Sequence, residues 1–362
     1  MRILGIETSC DETSASVVEE TGDAARPWAI RSNIVASQVQ IHREWGGVVP
    51  ELASRQHIRD ICGVVERALD EAHTAWTDLG AIAVTQGPGL VGSLLIGVAF
   101  AKAAAATAGL PLVAVHHLAG HIESLVLQNG ELPLPAVVLV VSGGHTSLYL
   151  VETPGRYELL SRTRDDAAGE AYDKVAKLLG LGYPGGPVID RLAKTGNDRA
   201  VALPTTRLTH ADRNAPELKG DLDFSFSGLK TAVLRYVRSR GVPGTEVGGG
   251  TEVRPTSVPD TEIADICASF QRVVVTALLD RLFDAARRYQ ARSIGIAGGV
   301  SANSRLRAEL ADRGHRREMP TYLPSLQLST DNAAMIAAAG LRKLRAGILA
   351  PADLNADAAL AL

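Results

Sequence analysis

Two stretches of the chain carry the same pattern of apolar and polar positions. The first is apolar over residues 3–6, turns through Glu7-Thr8-Ser9-Cys10-Asp11-Glu12-Thr13-Ser14, and is largely apolar again over residues 15–18. Well over a hundred residues later, 136–141 run apolar, Ser142-Gly143-Gly144-His145-Thr146 turn, and 148–151 are apolar. Each stretch predicts strand, tight polar turn, strand. Two such hairpins, each opening a half of the chain, predict an α/β fold of two duplicated lobes with a cleft between them. Glycines and hydroxyls at strand tips leave backbone N–H groups to face an anion, so the cleft is expected to hold phosphate.

Between the hairpins the periodicity alternates. A further strand is predicted at 34–41, and a helix at 51–72 with Leu52, Ile58, Ile61, Val65 and Leu69 near helical spacing. A buried strand at 81–85 ends in Gln86-Gly87-Pro88-Gly89, an Ala-rich helix follows at 90–109, then a strand at 111–115 and a helix at 117–127. Alternating strands and helices argue α/β architecture. Leu132-Pro133-Leu134-Pro135 reads as a hinge, which puts one lobe at 1–132 and the other at 133–325. The second lobe is expected to hold a helix at 168–179, a loop at 182–187, a long amphipathic helix at 263–289 and a strand at 293–297. Residues 241–260, nearly all Gly, Pro, Thr, Val and charge, read as a mobile surface insertion. A last helix at 331–350 is expected to pack back on the first lobe, and the Ala-rich tail 351–362 to fray.

A composition of 46% hydrophobic and 21% charged residues in 362 is that of a globular chain with two cores. The chain enters a strand at once, without the apolar core and cleavage site of a secretion signal, and no uninterrupted apolar run is long enough to span a bilayer. Cys10, Cys62 and Cys267 are odd in number and far apart, which argues against a disulfide framework. The expectation is a cytoplasmic protein with no membrane partner. A net charge of −3 means that nucleic acid must be bound by local patches or through a partner. Arg235, Arg238 and Arg240, the pair Arg287/Arg288, and Arg305, Arg307, Arg313, Arg316 and Arg317 are the candidates, each of which alone reads better as a solvated helix face.

His117-Leu118-Ala119-Gly120-His121 places two imidazoles one helical turn apart, able to aim at one metal ion. Taken alone the spacing reads better as two half-exposed histidines. With Leu118 after the first His, no general base is supplied as in the zinc-protease HExxH. Asp331, in Ser329-Thr330-Asp331-Asn332-Ala333, is the candidate third ligand or else a plain helix N-cap. Two His and one carboxylate suit Fe(II), with zinc admissible. Gly298-Gly299-Val300-Ser301-Ala302-Asn303 stands between a strand and a helix, where backbone N–H groups favour a nucleotide, and is otherwise a simple β–α turn.

Several long words occur in one order: Gly5 to Thr13, Gly46-Gly47-Val48-Val49-Pro50-Glu51, Gly87-Pro88-Gly89-Leu90-Val91-Gly92-Ser93, Val141 to Thr146, Asp165 to Lys174, Phe224-Ser225-Phe226-Ser227-Gly228-Leu229-Lys230, Gly298 to Asn303 and Thr330 to Ala333. Through them the chain closely resembles, over nearly its whole length, the tRNA threonylcarbamoyladenosine transferase family, bacterial TsaD branch. Trp45, Ala119 and Ser329 depart from residues common in that family, and none removes a proposed ligand.

The resemblance implies the actin-like, sugar-kinase-like (ASKHA) fold. It implies one Fe(2+) per subunit, or Zn(2+), on His117, His121 and Asp331. It implies substrate binding by Val141, Ser142, Gly143, Gly144, His145, Asp173, Gly186, Asp190 and Asn303. The implied reaction moves the threonylcarbamoyl group from threonylcarbamoyl-adenylate to N6 of adenosine 37 in tRNAs reading codons that begin with A. Implied partners are tRNA, the synthase that makes the adenylate, a TsaB-like paralogous subunit and a TsaE-like ATPase. Asp11, then Glu12, is the first choice for an acid–base group, with a turn-stabilising carboxylate as the alternative. A phosphotransferase of the same fold is the rival function; the His pair and the absence of a DxGT-type first loop count against it.

Overall fold

The computed structural model describes residues 1–205, 208, 220–239 and 259–362. Residues 241–258 of the predicted insertion lie outside the described residues, and Pro259 and Asp260 cap and open a helix. In chain order the first elements are β1 (Arg2–Glu7), β2 (Glu12–Glu20), β3 (Trp28–Ser37), α1 (Val39–Arg43), α2 (Pro50–Glu71), β4 (Leu79–Gly87), α3 (Val91–Ala108), β5 (Leu112–His116) and α4 (His117–Asn129). There follow β6 (Ala136–Val141), β7 (Thr146–Thr153), β8 (Arg156–Arg162), α5 (Ala168–Leu178), α6 (Gly185–Ala193), α7 (Ser227–Ser239) and α8 (Asp260–Arg288). Then come β9 (Ser293–Ala297), α9 (Ser304–Arg316), β10 (Thr321–Tyr322), α10 (Leu326–Ser329) and α11 (Ala333–Arg345). One compact unit comprises Met1–Leu134, Val151–Glu158 and Tyr322–Leu362; the other comprises Pro135–Leu150 and Leu159–Thr321.

Two five-stranded sheets share one plan. The first has the order β3-β2-β1-β4-β5, the second β8-β7-β6-β9-β10, so each begins from a central strand, adds two neighbours on one side and two on the other. β1 is antiparallel to β2 and parallel to β4, and β6 is parallel to β9. The repeated apolar pattern in the chain is therefore a repeated topology. A parallel neighbour requires a crossover, which α2 supplies between β3 and β4.

In the first unit both faces of the sheet are covered, which is why β1 and β4 are apolar almost throughout. Leu4 and Ile6 pack with Val64, Val65, Leu69 and Val98 of α2 and α3. Ile3 points the other way, with Ala81, Ala83 and Val113, into Ala334, Ile336, Ala337 and Leu341 of α11. That helix is buried over nine consecutive residues from Ala333 to Leu341 and lies very close to the sheet. A Cβ at Gly5 would collide with the Ala333 carbonyl oxygen and lie 2.8 Å from the Ala337 Cβ. Arg342 then locks α11 to α4 through Glu123, at 2.6 and 2.9 Å, and reaches Glu131 at 2.9 Å.

Several expectations are corrected. The strand predicted at 34–41 is β3, which ends at Ser37 opposite Glu12, the first residue of β2; beyond it no partner strand remains, and α1 begins. The predicted loop 182–187 is helical from Gly185, because the Asp173 carboxylate accepts the Gly185 N–H at 2.7 Å and Pro187 is tolerated in a first turn. The tail 351–362 does not fray. Leu354 is buried in the core, its carbonyl accepts from Lys102 Nζ at 2.9 Å, and Asp357 N–H donates to the Gln86 carbonyl at 2.9 Å. α3 is long and apolar enough to cross a bilayer by length and composition, but Ser93, Lys102 and Thr107 interrupt it, in keeping with the absence of an uninterrupted apolar run, and Leu94, Val98, Ala101 and Ala105 bury one side of it.

Replacing Gly5 with Ala should lower the free energy of unfolding by about 1–3 kcal/mol, since the added methyl meets backbone that cannot swing away. Gly63→Ala, in α2 where an added Cβ meets nothing, should raise it by about 0.5–1 kcal/mol. Urea unfolding of the two variants beside the parent chain reads both signs.

Candidate functional site

β5 runs directly into α4, and His116 caps that helix by accepting the Leu118 N–H at 3.1 Å. The first helical residue is thus His117, with His121 one turn on and the ring centroids 4.7 Å apart. Gly120 between them lets α11 approach, as a Cβ there would stand 2.8 Å from the Ile336 Cδ1. The approach carries Asp331 to the histidines. Its Oδ1 is 3.2 Å from His121 Nε2 and 3.6 Å from His117 Nε2, and the three donor atoms lie within 4.8 Å of one another. The N-cap of α11 is Asn332, whose Oδ1 accepts the Met335 N–H at 3.1 Å, so the capping alternative for Asp331 falls.

The cluster fits a divalent cation. Donors about 2.0–2.1 Å from an ion stand roughly 3–3.5 Å apart, close to the 3.2 and 3.6 Å that separate Asp331 Oδ1 from the two imidazoles. His121 is buried with Nδ1 lacking a hydrogen-bond partner among the described residues and Nε2 aimed at the Asp331 carboxylate 3.2 Å away, an approach that a shared ion would satisfy. His117 is held on its other nitrogen: Nδ1 is 3.0 Å from Glu7 Oε2 and 3.2 Å from Ser9 Oγ. Burial alone pushes the His117 imidazole down, but the Asp331 and Glu7 charges with the Glu7 hydrogen bond outweigh it and raise it to about 9. Burial holds His121 below its usual value against the Asp331 hydrogen bond.

The first hairpin tip stands near the cluster electrostatically. Burial, then the Asp11 and Asp331 charges, push the Glu12 carboxyl well above the usual carboxylate range. Asp11 is buried, and the tip is fixed from behind by His57, which sits 3.0 Å from the Cys10 carbonyl and 2.8 Å from Thr13 Oγ1.

In the second unit, Val141 to His145 form the other tip, closed by Ser142 N–H donating to the His145 carbonyl at 2.8 Å. Asp173 of α5 binds the start of α6 beside Gly186, and Asp190 of α6 accepts from Ser304 Oγ at 2.8 Å. Asn303 caps α9 through the Leu306 N–H and donates to Gln271 Oε1 at 2.8 Å. Asp173, Gly186, Asp190 and Asn303 are therefore drawn together around two helix starts, with open space where a Cβ would stand on Gly143, Gly144, Gly186 or Gly299. Half of the basic candidates are neutralised: Arg287 by Asp284, Arg288 by Asp221, Arg305 by Asp198 and Glu309, Arg313 by Asp280 and Glu309, Arg316 by Asp312. Arg235 and Arg238 are exposed on α7, and Arg240 lies outside the described residues. All three cysteines are free thiols.

Reading the chain alone missed Glu7, although an acid ending the run Ile3-Leu4-Gly5-Ile6 was a signal. An acid at the end of a wholly buried strand must have donors waiting for it.

The family model described as TsaD: tRNA N6-adenosine threonylcarbamoyltransferase matches residues 29–338. A protein of that name from Anaeromyxobacter sp. (strain Fw109-5) is 51% identical over 360 residues, covering 99% of each chain. Another from Moorella thermoacetica is 49% identical over 354 residues, covering 98% of this chain and 95% of its own. Among solved structures, full-length HypF in its phosphate- and nucleotide-bound form superposes with a TM-score of 0.57 at 12% identity, over 95% of this chain and 55% of that one. Component A of the Acidaminococcus fermentans (R)-2-hydroxyglutaryl-CoA dehydratase gives 0.50 at 14% identity, over 95% and 99%. Those two show a shared actin-like, sugar-kinase-like fold and nothing of chemistry. Near-half identity from end to end, with the family model spanning most of the chain, is decisive: the chain belongs to the tRNA N6-adenosine threonylcarbamoyltransferase family.

Proposed function

We propose that this protein transfers the threonylcarbamoyl group from L-threonylcarbamoyl-adenylate to N6 of adenosine 37 in tRNAs that read codons beginning with A, releasing AMP. The observation that carries the reading is the convergence of His117, His121 and Asp331, in a chain of this family, on one point beside the Asp11–Glu12 tip. The adenine amine is a weak nucleophile because its lone pair is delocalised into the ring. The donor must therefore arrive activated, and the protein's task is to orient it and stabilise developing charge.

His117, His121 and Asp331 would hold one Fe(2+), with Zn(2+) also compatible with two imidazoles and a carboxylate. When bound, the ion supplies Lewis-acid polarisation of a donor oxygen. Asp11 takes the proton that N6 loses as its bond to the carbamoyl carbon forms and the bond to the AMP phosphate oxygen breaks. Glu12, pushed above the usual carboxylate range by burial and then by the Asp11 and Asp331 charges, is the second choice for that role. Val141, Ser142, Gly143, Gly144 and His145 bind the AMP portion, with Asp173, Gly186, Asp190 and Asn303. The partners are tRNA, the adenylate synthase, a TsaB-like paralogous subunit and a TsaE-like ATPase, in the cytoplasm.

Purified protein, adenylate donor, unmodified tRNA and these partners should yield threonylcarbamoyladenosine by mass spectrometry of the nucleosides. His117→Ala or His121→Ala should lower the yield rate about 100-fold or more, the loss of several kcal/mol, with circular dichroism unchanged. No product from the full mixture, or full activity in either variant, overturns the reading.

The raised His117 pKa sets a pH dependence. In the metal-free chain its contribution to stability is complete below the ordinary 6.5 and is lost as pH rises through about 9. The stability difference between the parent chain and His117→Gln in urea unfolding should therefore shrink from pH 6 to pH 9.5. The same proton competes with a cation, so metal affinity should rise over that interval and then level off.

A further inference from the structure

We propose that Glu7 is a positioning residue for the cation site: its carboxylate accepts the Nδ1–H of His117 and so commits Nε2 to the metal. The inference rests on the metal reading of His117, His121 and Asp331 and deepens it. Glu7 ends β1 with no exposed surface, and every contact on its two oxygens is accounted for. Oε1 accepts the Ser9 N–H. Oε2 accepts the Thr85 hydroxyl from β4 at 2.7 Å and lies 3.0 Å from His117 Nδ1.

A carboxylate in this position can only accept, so Nδ1 must carry the hydrogen between them. Ser9 Oγ, at 3.2 Å from the same nitrogen, leaves that hydrogen a second acceptor on the same side. Nδ1 is thereby unavailable as a ligand, and Nε2, the nitrogen 3.6 Å from Asp331 Oδ1, is the one that carries the lone pair once the ring is neutral. The contrast with His121 sharpens the assignment. That ring has no hydrogen-bond partner on Nδ1 among the described residues, so no group behind it fixes its tautomer in the same way. One ligand is pre-set by the sheet, and the other has no carboxylate behind it among the described residues. A carboxylate behind a metal-bound imidazole typically strengthens binding about 10–100-fold.

The test measures Zn2+ affinity of the metal-free protein by competition with a chelating dye. Glu7→Gln keeps the shape but can present an amide N–H to Nδ1, and should weaken binding about 10–100-fold. In a His117→Ala background the same substitution should change affinity by less than about twofold, because Glu7 then has no ring to hold. Parent-like affinity in Glu7→Gln, or an equal loss in both backgrounds, overturns the proposal. Should Glu7→Gln fail to fold, imidazole nitrogen NMR of the Zn2+-loaded parent decides: protonated Nδ1 with coordinated Nε2 on His117 supports it, and the reverse overturns it. If the parent binds no Zn2+, or His117→Ala binds it as tightly, the metal reading itself fails and this inference with it. A parent that binds while Glu7→Gln binds equally well removes the inference alone.

Discussion

The close seating of α11 on β1 and α4 is the contact on which the rest of the site depends. A helix can lie this near a sheet only where both surfaces are stripped of side chains. Here Ala333, Ala337 and Gly5 meet across the sheet, and Gly120 opens α4 between its two histidines. Dispersion gains from such contact are individually tiny and collectively large, and they vanish with a gap of about an ångström. The chain's last helix is thereby drawn onto its first strand. Ser14 Oγ accepts the Ala333 N–H at 2.8 Å, and Arg342 clamps the far end through the buried Glu123. Asp331, just ahead of the helix, has no choice but to face His117 and His121.

That arrangement is costly to fold. Two imidazoles and two carboxylates, Glu7 and Asp331, are gathered where little water reaches, and unpaired buried charges are expensive. The structure answers with donors on Glu7 from Thr85, Ser9 and His117, leaving His121 Nδ1 without a partner among the described residues. A cluster that folding alone would disfavour, kept in a chain otherwise well packed, is the sign of a ligand site. The second unit solves its own problem differently. Its polar candidates are tied to helix starts, with Asn303 capping α9 and Asp190 bound to Ser304, so substrate groups would meet side chains already held in place.

Much of this was legible in the chain. The repeated strand–turn–strand pattern at Glu7–Ser14 and Ser142–Thr146 announced two sheets of one plan, because β alternation and turn chemistry are local properties. The HxxxH spacing announced a shared face, since helical periodicity puts positions four apart side by side. Long shared words named the family. The local signals failed where an element's limit is set by a partner: β3 stops at Ser37 because β2 begins at Glu12, α6 starts at Gly185 because Asp173 receives its N–H, and the tail is ordered because Leu354 finds a core and Gln86 a hydrogen bond.

Sequence by itself determined the periods, the two-histidine turn and the family. Only the tertiary structure decided that Asp331, 210 residues beyond His121, stands 3.2 Å from it, that Asn332 and not Asp331 caps α11, and that Glu7 lies behind His117. The reason is that spacing along a chain governs neighbours within one element, whereas contacts between β1, α4 and α11 follow from which faces pack. Packing is settled by shape and burial summed over the whole sheet, a quantity no single segment contains.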